Sequence, residues 1–319
     1  MPTQRDNNPF KYSDSNKRYF TYDYYLRNTF GGKCLKIPLD IGCTCPNIDG
    51  SRGYGGCIYC SSRGSGDFAA APTLSIAEQC AKGREALSKK WNVDRIIPYF
   101  QAHTNTYASV GYLSKKFSEA IALDNVVAMN VATRADCLSK DILSLLSEIA
   151  EKTVLTVELG LQTTNDNTAS IINRCHSFTE FIDGFNALRE SSNKIRIGIH
   201  IINGLPGEID TDMENTANAV ASLRPDEVKI HLLHVIRDTR LAALYESGKY
   251  IPMTLENYAA ITAKQITLMP PETVIGRITG DGVASDLIAP LWSLKKTNVI
   301  NTIDKLMYAE NLWQGKNFV

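Results

Sequence analysis

The 319-residue chain has no uninterrupted run of about 18 apolar residues, the length a bilayer-spanning helix needs. Its opening stretch, MPTQRDNNPFKYSDSNKRYF, lacks the apolar segment of a secretory signal. Together these absences make a cytoplasmic protein the expectation, with no membrane partner. Net charge is missing too. Lysine plus arginine number 34 and aspartate plus glutamate number 34, so no overall positive field gathers phosphates, which weighs against broad nonspecific nucleic-acid binding and leaves open a local basic stripe. No Gly/Ser linker, internal repeat or low-complexity segment divides the chain. At 44% apolar residues it buries a large core without disulfides. In a reducing compartment clustered thiols serve as metal ligands or catalytic groups.

What is present is an alternation. Apolar runs read as buried parallel strands in KIPLDIG, IIPYFQA, VVAMNVAT, TVLTVELGLQ, IRIGIHIING and EVKIHLLHVI. Stretches with apolar residues three or four apart lie between them: SIAEQCAKGREALSKKW, YLSKKFSEAIAL, SKDILSLLSEIAEK, FTEFIDGFNALRESS and DTDMENTANAVASL. Ser75 with Glu78 and Ser177 with Glu180 have the capping-box spacing of a helix start. Repeated strand and helix predict an α/β protein whose core, residues 34–280, forms a partial (β/α)6 barrel. Residues 1–33 are expected to pack across one end, and residues 281–319 to close the barrel with a last helix, NVINTIDKLMYAENLW. Function in such folds gathers at the C-terminal strand ends. There stand Cys45, Gln101, Thr104, Asn105, Thr133, Arg134, Gln162 and Asn203.

Cys43, Cys45, Cys57 and Cys60 crowd one loop. Four thiolates could close a structural zinc tetrahedron, although Cys43 and Cys45 are closer in sequence than the usual zinc pair. Cys45, Cys57 and Cys60 alone, spaced C-x11-C-x-x-C, could instead hold three irons of a four-iron cluster and leave the fourth open. The intervening PNIDGSRGYGG carries four glycines, which lets the backbone wrap a compact object. Tyr59 precedes the last thiol, where its ring could lie against a ligand on the open iron or be ordinary core.

The motifs LDIGCTCPN, GGCIYCSSRGSGDFA, YFQAHTNTYA, VATRADC, VELGLQT, INRCH, HIINGLPGE, KIHLLHV and RITGDG together resemble the YhcC-like group of radical S-adenosylmethionine enzymes. That group is related to the Elongator catalytic subunit and to oxygen-independent coproporphyrinogen oxidase. The resemblance runs over residues 18–315. It implies a [4Fe-4S] cluster on Cys45, Cys57 and Cys60, with Cys43 an extra thiol, and S-adenosylmethionine chelated on the open iron. It also implies an electron donor such as flavodoxin or ferredoxin, and a 5'-deoxyadenosyl radical that abstracts hydrogen from the substrate. Carried over, Tyr59, Gln101, Thr104, Asn105, Thr133, Arg134, Gln162, Arg174, Asn203 and Leu205 become the cofactor-binding set. Gln162 and Arg174 meet the methionine carboxylate and ribose, and the NGLPG turn lies beside the adenine. Ala135 replaces the proline of the family's TRPD. Each residue has an ordinary alternative: Gln162 as a helix cap, Arg174 in an ion pair, and His200, His231 and His234 as hydrogen-bonded core histidines.

For substrate, the resemblance implies two activities near the tRNA anticodon. One remodels the side chain of wobble uridine in tRNA. The other is queuine lyase, which breaks the C–N bond of the free base and releases 7-aminomethyl-7-deazaguanine for salvage. Gripping folded tRNA takes a basic patch and an accessory module, whereas this chain is neutral and ends soon after its core, so the free base is the expectation. Asp40, Asp67 and Asp281 are the acidic candidates for the guanine-like edge, with His231, Arg277 and Thr279 as further lining.

Overall fold

A computed structural model describes residues 8–88, 93–280 and 282–319. Its elements in chain order are α1 (Tyr22–Phe30), β1 (Leu35–Leu39), α2 (Ile76–Ser88), β2 (Ile96–Phe100), α3 (Val110–Ile121), β3 (Ala128–Thr133), α4 (Lys140–Ala150), β4 (Val154–Gln162), α5 (Asp166–Ile171), α6 (Phe178–Ser191), β5 (Arg196–Asn203), α7 (Asp210–Ser222), β6 (Glu227–Leu232), β7 (Val235–Ile236), α8 (Arg240–Glu246), α9 (Leu255–Leu268), β8 (Val274–Arg277), β9 (Leu287–Ala289) and α10 (Lys296–Ala309). The main sheet has strand order β1-β2-β3-β4-β5-β6-β8. The six expected strands are all present, and β8 is a seventh. No described helix is long and apolar enough to cross a membrane.

Two compact units make up the chain. The first, Thr29–Leu161 with Asn173–Gly198, holds the cysteine loop and the parallel pairs β1/β2, β2/β3 and β3/β4. Side chains alternate across these strands. Ile37 faces α2 so closely that a Cβ on Gly83 would stand 2.3 Å from it. Phe100 meets Phe117 of α3 edge-on at 4.9 Å, a contact worth about 0.5–1.5 kcal/mol beyond burial. Polar residues stand among those that face the other way: Lys36, Tyr99, Asn130 and Glu158. Glu158, with a fully buried side chain, accepts hydrogen bonds from Lys36 Nζ at 2.7 Å, Tyr99 Oη at 2.6 Å and Asn130 Nδ2 at 2.8 Å. Both capping boxes form. The Ser75 hydroxyl accepts from the Glu78 amide while Glu78 accepts from the Ser75 amide, and Ser177 and Glu180 repeat the exchange.

The second unit takes in the described residues up to Asn28, Gln162–Ile172 and Ile199–Val319. Here the parallel pair is β6/β8, and the short β7 and β9 pair antiparallel. EVKIHLLHVI is therefore not one strand: it breaks at Leu233 and His234, and its end leaves the main sheet. The N-terminal segment is tied to β8 and the C-terminal tail. The Ile275 amide donates to the Phe20 carbonyl at 2.8 Å, Gln314 accepts from the Phe20 amide at 2.8 Å, and Lys17 pairs with Asp304 of α10. Helix α9 is a strongly buried helix whose Gln265 reaches Asn203 and the Met213 carbonyl.

Candidate cluster and cofactor site

The loop after β1 is shaped by its own turns. Ile48 and Arg52 amides donate to the Cys45 and Pro46 carbonyls, and the Cys60 amide donates to the Cys57 carbonyl. Gly55 and Gly56 have φ of 74° and 69°, a region that side-chain-bearing residues rarely enter. Cys45 and Cys57 are half-buried and Cys60 is exposed, whereas Cys43 is buried. Burial, helped by the Asp40 charge, pushes the Cys43 thiol up to about 11.

Cys57 goes the other way. A hydrogen bond with Cys60, then the nearby Arg134 charge, draw it down to about 7 against the opposing effect of burial. The same bond, and then the charges of Cys57 and Cys45, raise Cys60. Tyr59 is raised by burial and by both thiols. Cys45, Cys57, Cys60, Tyr59 and Arg134 thus interact as one group. Among the described residues no three His, Cys, Asp or Glu side chains stand as a set for a single metal ion. The donor chemistry nonetheless suits a cluster, since the three accessible thiols sit beside a fixed cation and at least one ionises near neutrality.

Arg134 is held bidentately by Asp136, through Nε at 2.9 Å and Nη2 at 2.8 Å, and its Nη1 donates to the Arg174 carbonyl at 2.8 Å. Asn47, which the sequence analysis did not single out, sends its amide nitrogen to the Asn173 and Arg174 carbonyls, each at 2.8 Å, and to Cys57 Sγ at 3.6 Å. Arg174 is 1% exposed. Its Nε and Nη2 donate to the His176 carbonyl at 3.0 and 2.8 Å, and its Nη1 to the Leu161 carbonyl at 2.5 Å. Arg174 thus lies in the interior and not at the surface.

The segment after β2 lies against the cysteine loop. Thr104 donates its amide to the Thr44 carbonyl, and Ser65 donates to the Gln101 carbonyl at 2.6 Å. Asn105 is fully buried; its amide nitrogen donates to the Ala132 carbonyl at 3.0 Å and its Oδ1 has no hydrogen-bond partner. An acceptor left unmatched in the interior is costly, and a ligand ammonium is a donor of the kind it lacks. Thr133 shares a 2.5 Å hydroxyl bond with Thr106. Asp40 accepts from the Gly42 amide at 2.8 Å, and Asp67 from Ser61 at 2.9 Å. Both carboxylates act on His103, whose own tendency, set by burial, is downward.

In the second unit Gln162 sits at φ 65°, strained for a residue with a side chain, immediately after Leu161. Asn203 Nδ2 and Oδ1 exchange bonds of 2.8 and 2.9 Å with Gln265. What the NGLPG turn has to offer is backbone and the buried Leu205. His231 lies 5.0 Å from His200, ring to ring. Arg277 is half-buried and Thr279 buried. Gly280 and Gly282 wrap the His234 ring, with no room for a Cβ at Gly280, where it would stand 2.5 Å away. Asp281 lies outside the described residues. Of the residues missed, Lys36, Tyr99, Asn130 and Glu158 had a signal in the sequence, a strongly polar residue inside each mainly apolar strand. Asn47 had none.

Comparison with known proteins places these features in a family. The model described as "Radical SAM superfamily" matches residues 50–220, and "Radical_SAM C-terminal domain" matches residues 225–309. The chain is 45% identical to the uncharacterised protein YtqA of Bacillus subtilis over 312 residues, 98% of this chain and 96% of that one. It is 32% identical to YhcC of Escherichia coli over 283 residues, 88% and 90% of the two. A protein of Methanocaldococcus jannaschii named tRNA uridine(34) acetyltransferase is 29% identical over 185 residues, which span 57% of this chain and 32% of that one. Among solved structures, the archaeal Elp3 of Methanocaldococcus infernus with an N-terminal deletion has the same fold, with a TM-score of 0.67 at 19% identity, over 88% of this chain and 64% of that one.

Proposed function

From the premise that this chain belongs to the radical SAM superfamily, within the YhcC-like group related to Elp3, we propose that it cleaves the C–N bond of free queuine and releases 7-aminomethyl-7-deazaguanine. The family uses a [4Fe-4S] cluster and S-adenosylmethionine. When bound, the reduced cluster supplies the electron that cleaves the sulfonium and yields the hydrogen-abstracting 5'-deoxyadenosyl radical.

In this reading Cys45, Cys57 and Cys60 hold the cluster, and the Arg134 charge favours the Cys57 thiolate. Gln101, Thr104, Asn105 and Thr133 take the polar ends of S-adenosylmethionine, and Tyr59 a flat face. Arg174 serves from behind, fixing the Leu161 carbonyl at the end of β4, from which Gln162 follows. Asp40 and Asp67 accept the N–H edge of the deazaguanine. One hydrogen atom would be taken from the carbon beside the C–N carbon and end in 5'-deoxyadenosine; the C–N bond would then break as the ring gains a C=C bond, and the nitrogen would leave as the amine after taking up one electron from the electron donor and one proton.

The observation that carries the free-base reading is the pair of carboxylates beside the cysteine loop, Asp40 held by the Gly42 amide at 2.8 Å and Asp67 held by Ser61 at 2.9 Å. A chain of zero net charge suits a small base better than a polyanion. The second reading, remodelling of wobble uridine in tRNA, draws on the likeness to the tRNA uridine(34) acetyltransferase and Elp3. Reduced enzyme and S-adenosylmethionine are incubated with queuine and, separately, with tRNA bearing carboxymethylaminomethyl uridine. We expect 5'-deoxyadenosine and 7-aminomethyl-7-deazaguanine only with queuine, and loss of base binding in Asp67→Ala with uncoupled cofactor cleavage retained. A mass change in the tRNA alone would establish the second reading instead.

A further inference from the structure

Asn47 is fully buried in the cysteine loop, and its amide orientation is dictated by its neighbours. Two backbone carbonyls, of Asn173 and Arg174, each lie 2.8 Å from one terminal atom of the side chain. Carbonyls accept only, so that atom is the nitrogen, and the same nitrogen stands 3.6 Å from Cys57 Sγ. Its two hydrogens therefore serve three acceptors, of which the sulfur is the one whose charge changes. A hydrogen bond to an ionised sulfur strengthens as negative charge grows on it. Hydrogen bonds to ligand sulfurs are among the factors that set the potential of an iron–sulfur cluster.

We propose that Asn47 is a positioning residue that raises the reduction potential of the cluster by donating to Cys57 Sγ. The inference rests on the reading of Cys57 as a cluster ligand. The reduced cluster carries one electron more than the oxidised one, so a donor at this sulfur stabilises the reduced form more. The Arg174 carbonyl keeps the amide from turning away, since it takes both Asn47 Nδ2 and Arg134 Nη1 at 2.8 Å.

A second strap separates this effect from loop rigidity. Asn173 Nδ2 donates to the Tyr54 and Gly56 carbonyls, at 3.1 and 2.7 Å, and so ties the same loop to the same segment by backbone contacts alone. Asn173→Ala should loosen the loop and leave the potential unchanged. Asn47→Leu should make reduction of the cluster about tenfold less favourable at a fixed potential, a shift of about 59 mV for a one-electron couple. Asn47→Ser, whose hydroxyl is too short to reach the sulfur, should shift it the same way and serves where the leucine variant retains no cluster.

The experiment is redox titration of the anaerobically reconstituted proteins, followed by the electron paramagnetic resonance signal of the reduced cluster, with iron and sulfide content measured in each. A potential unchanged in the Asn47 variants, or shifted equally in Asn173→Ala, would overturn the proposal. A wild-type protein that binds no four-iron cluster would instead sink the assignment of Cys57, an outcome the iron and sulfide content identifies by itself.

Discussion

Removing the Arg174 guanidinium tests whether this residue acts on the ligand or on the scaffold. Arg174→Met keeps much of the apolar stem and deletes three hydrogen bonds, two to the His176 carbonyl and one to the Leu161 carbonyl. The site is 1% exposed, so water does not readily replace the donors. Losing these buried hydrogen bonds, at about 0.5–1.5 kcal/mol each, predicts a destabilisation of about 1.5–4.5 kcal/mol. Arg174→Lys keeps the charge but not the planar fork, and should recover little of it. Urea unfolding of the apoprotein, followed by far-ultraviolet circular dichroism, measures the loss. Equilibrium dialysis of S-adenosylhomocysteine, on samples of known folded fraction, measures ligand affinity. We expect both variants to unfold at lower urea and the affinity of the folded fraction to fall only severalfold. Wild-type urea resistance combined with a tenfold to hundredfold loss of affinity would refute the scaffold reasoning and return Arg174 to direct ligand contact.

Cys45→Ala, Cys57→Ala and Cys60→Ala should each lose the reconstituted cluster while Cys43→Ala retains it, because Cys43 is buried; iron and sulfide analysis distinguishes the four. Glu158→Leu removes the carboxylate that Lys36, Tyr99 and Asn130 share and should cost about 3–5 kcal/mol by urea unfolding. Lys36→Met added to it should restore much of that, and a double variant no more stable than Glu158→Leu would contradict the pairing. Burial, and then Lys296 and Arg277, hold His234 down at about 4, below its value of about 6.5 in the unfolded chain. Between those values the unfolded chain binds the extra proton, so stability falls as pH drops from about 6.5 to about 4, by at most about 1.4 kcal/mol per pH unit from this group. His234→Gln should flatten that part of the stability profile, and an unaltered slope would count against the assignment.

The sequence by itself determined the α/β class and the strand order of events along the chain, because buried parallel strands and amphipathic helices impose different apolar periods that local chemistry alone reveals. It also determined the cysteine loop, since C-x11-C-x-x-C and four glycines are contiguous signals. Tertiary structure decided the rest. The seventh strand is only four residues long, too short to carry a period, and it exists through pairing with β6. Leu233 and His234 read as strand continuation, yet the chain turns there because β7 finds β9 as its partner. Asn203 was singled out by its place in a turn, but Gln265, 62 residues away, claims its amide. Arg174 and Asn47 converge on one another from 127 residues apart. Hydrogen bonds act over about 3 Å in space and leave no trace in sequence spacing, so which polar groups are already matched, and which remain for a ligand, became legible only once the chain was folded.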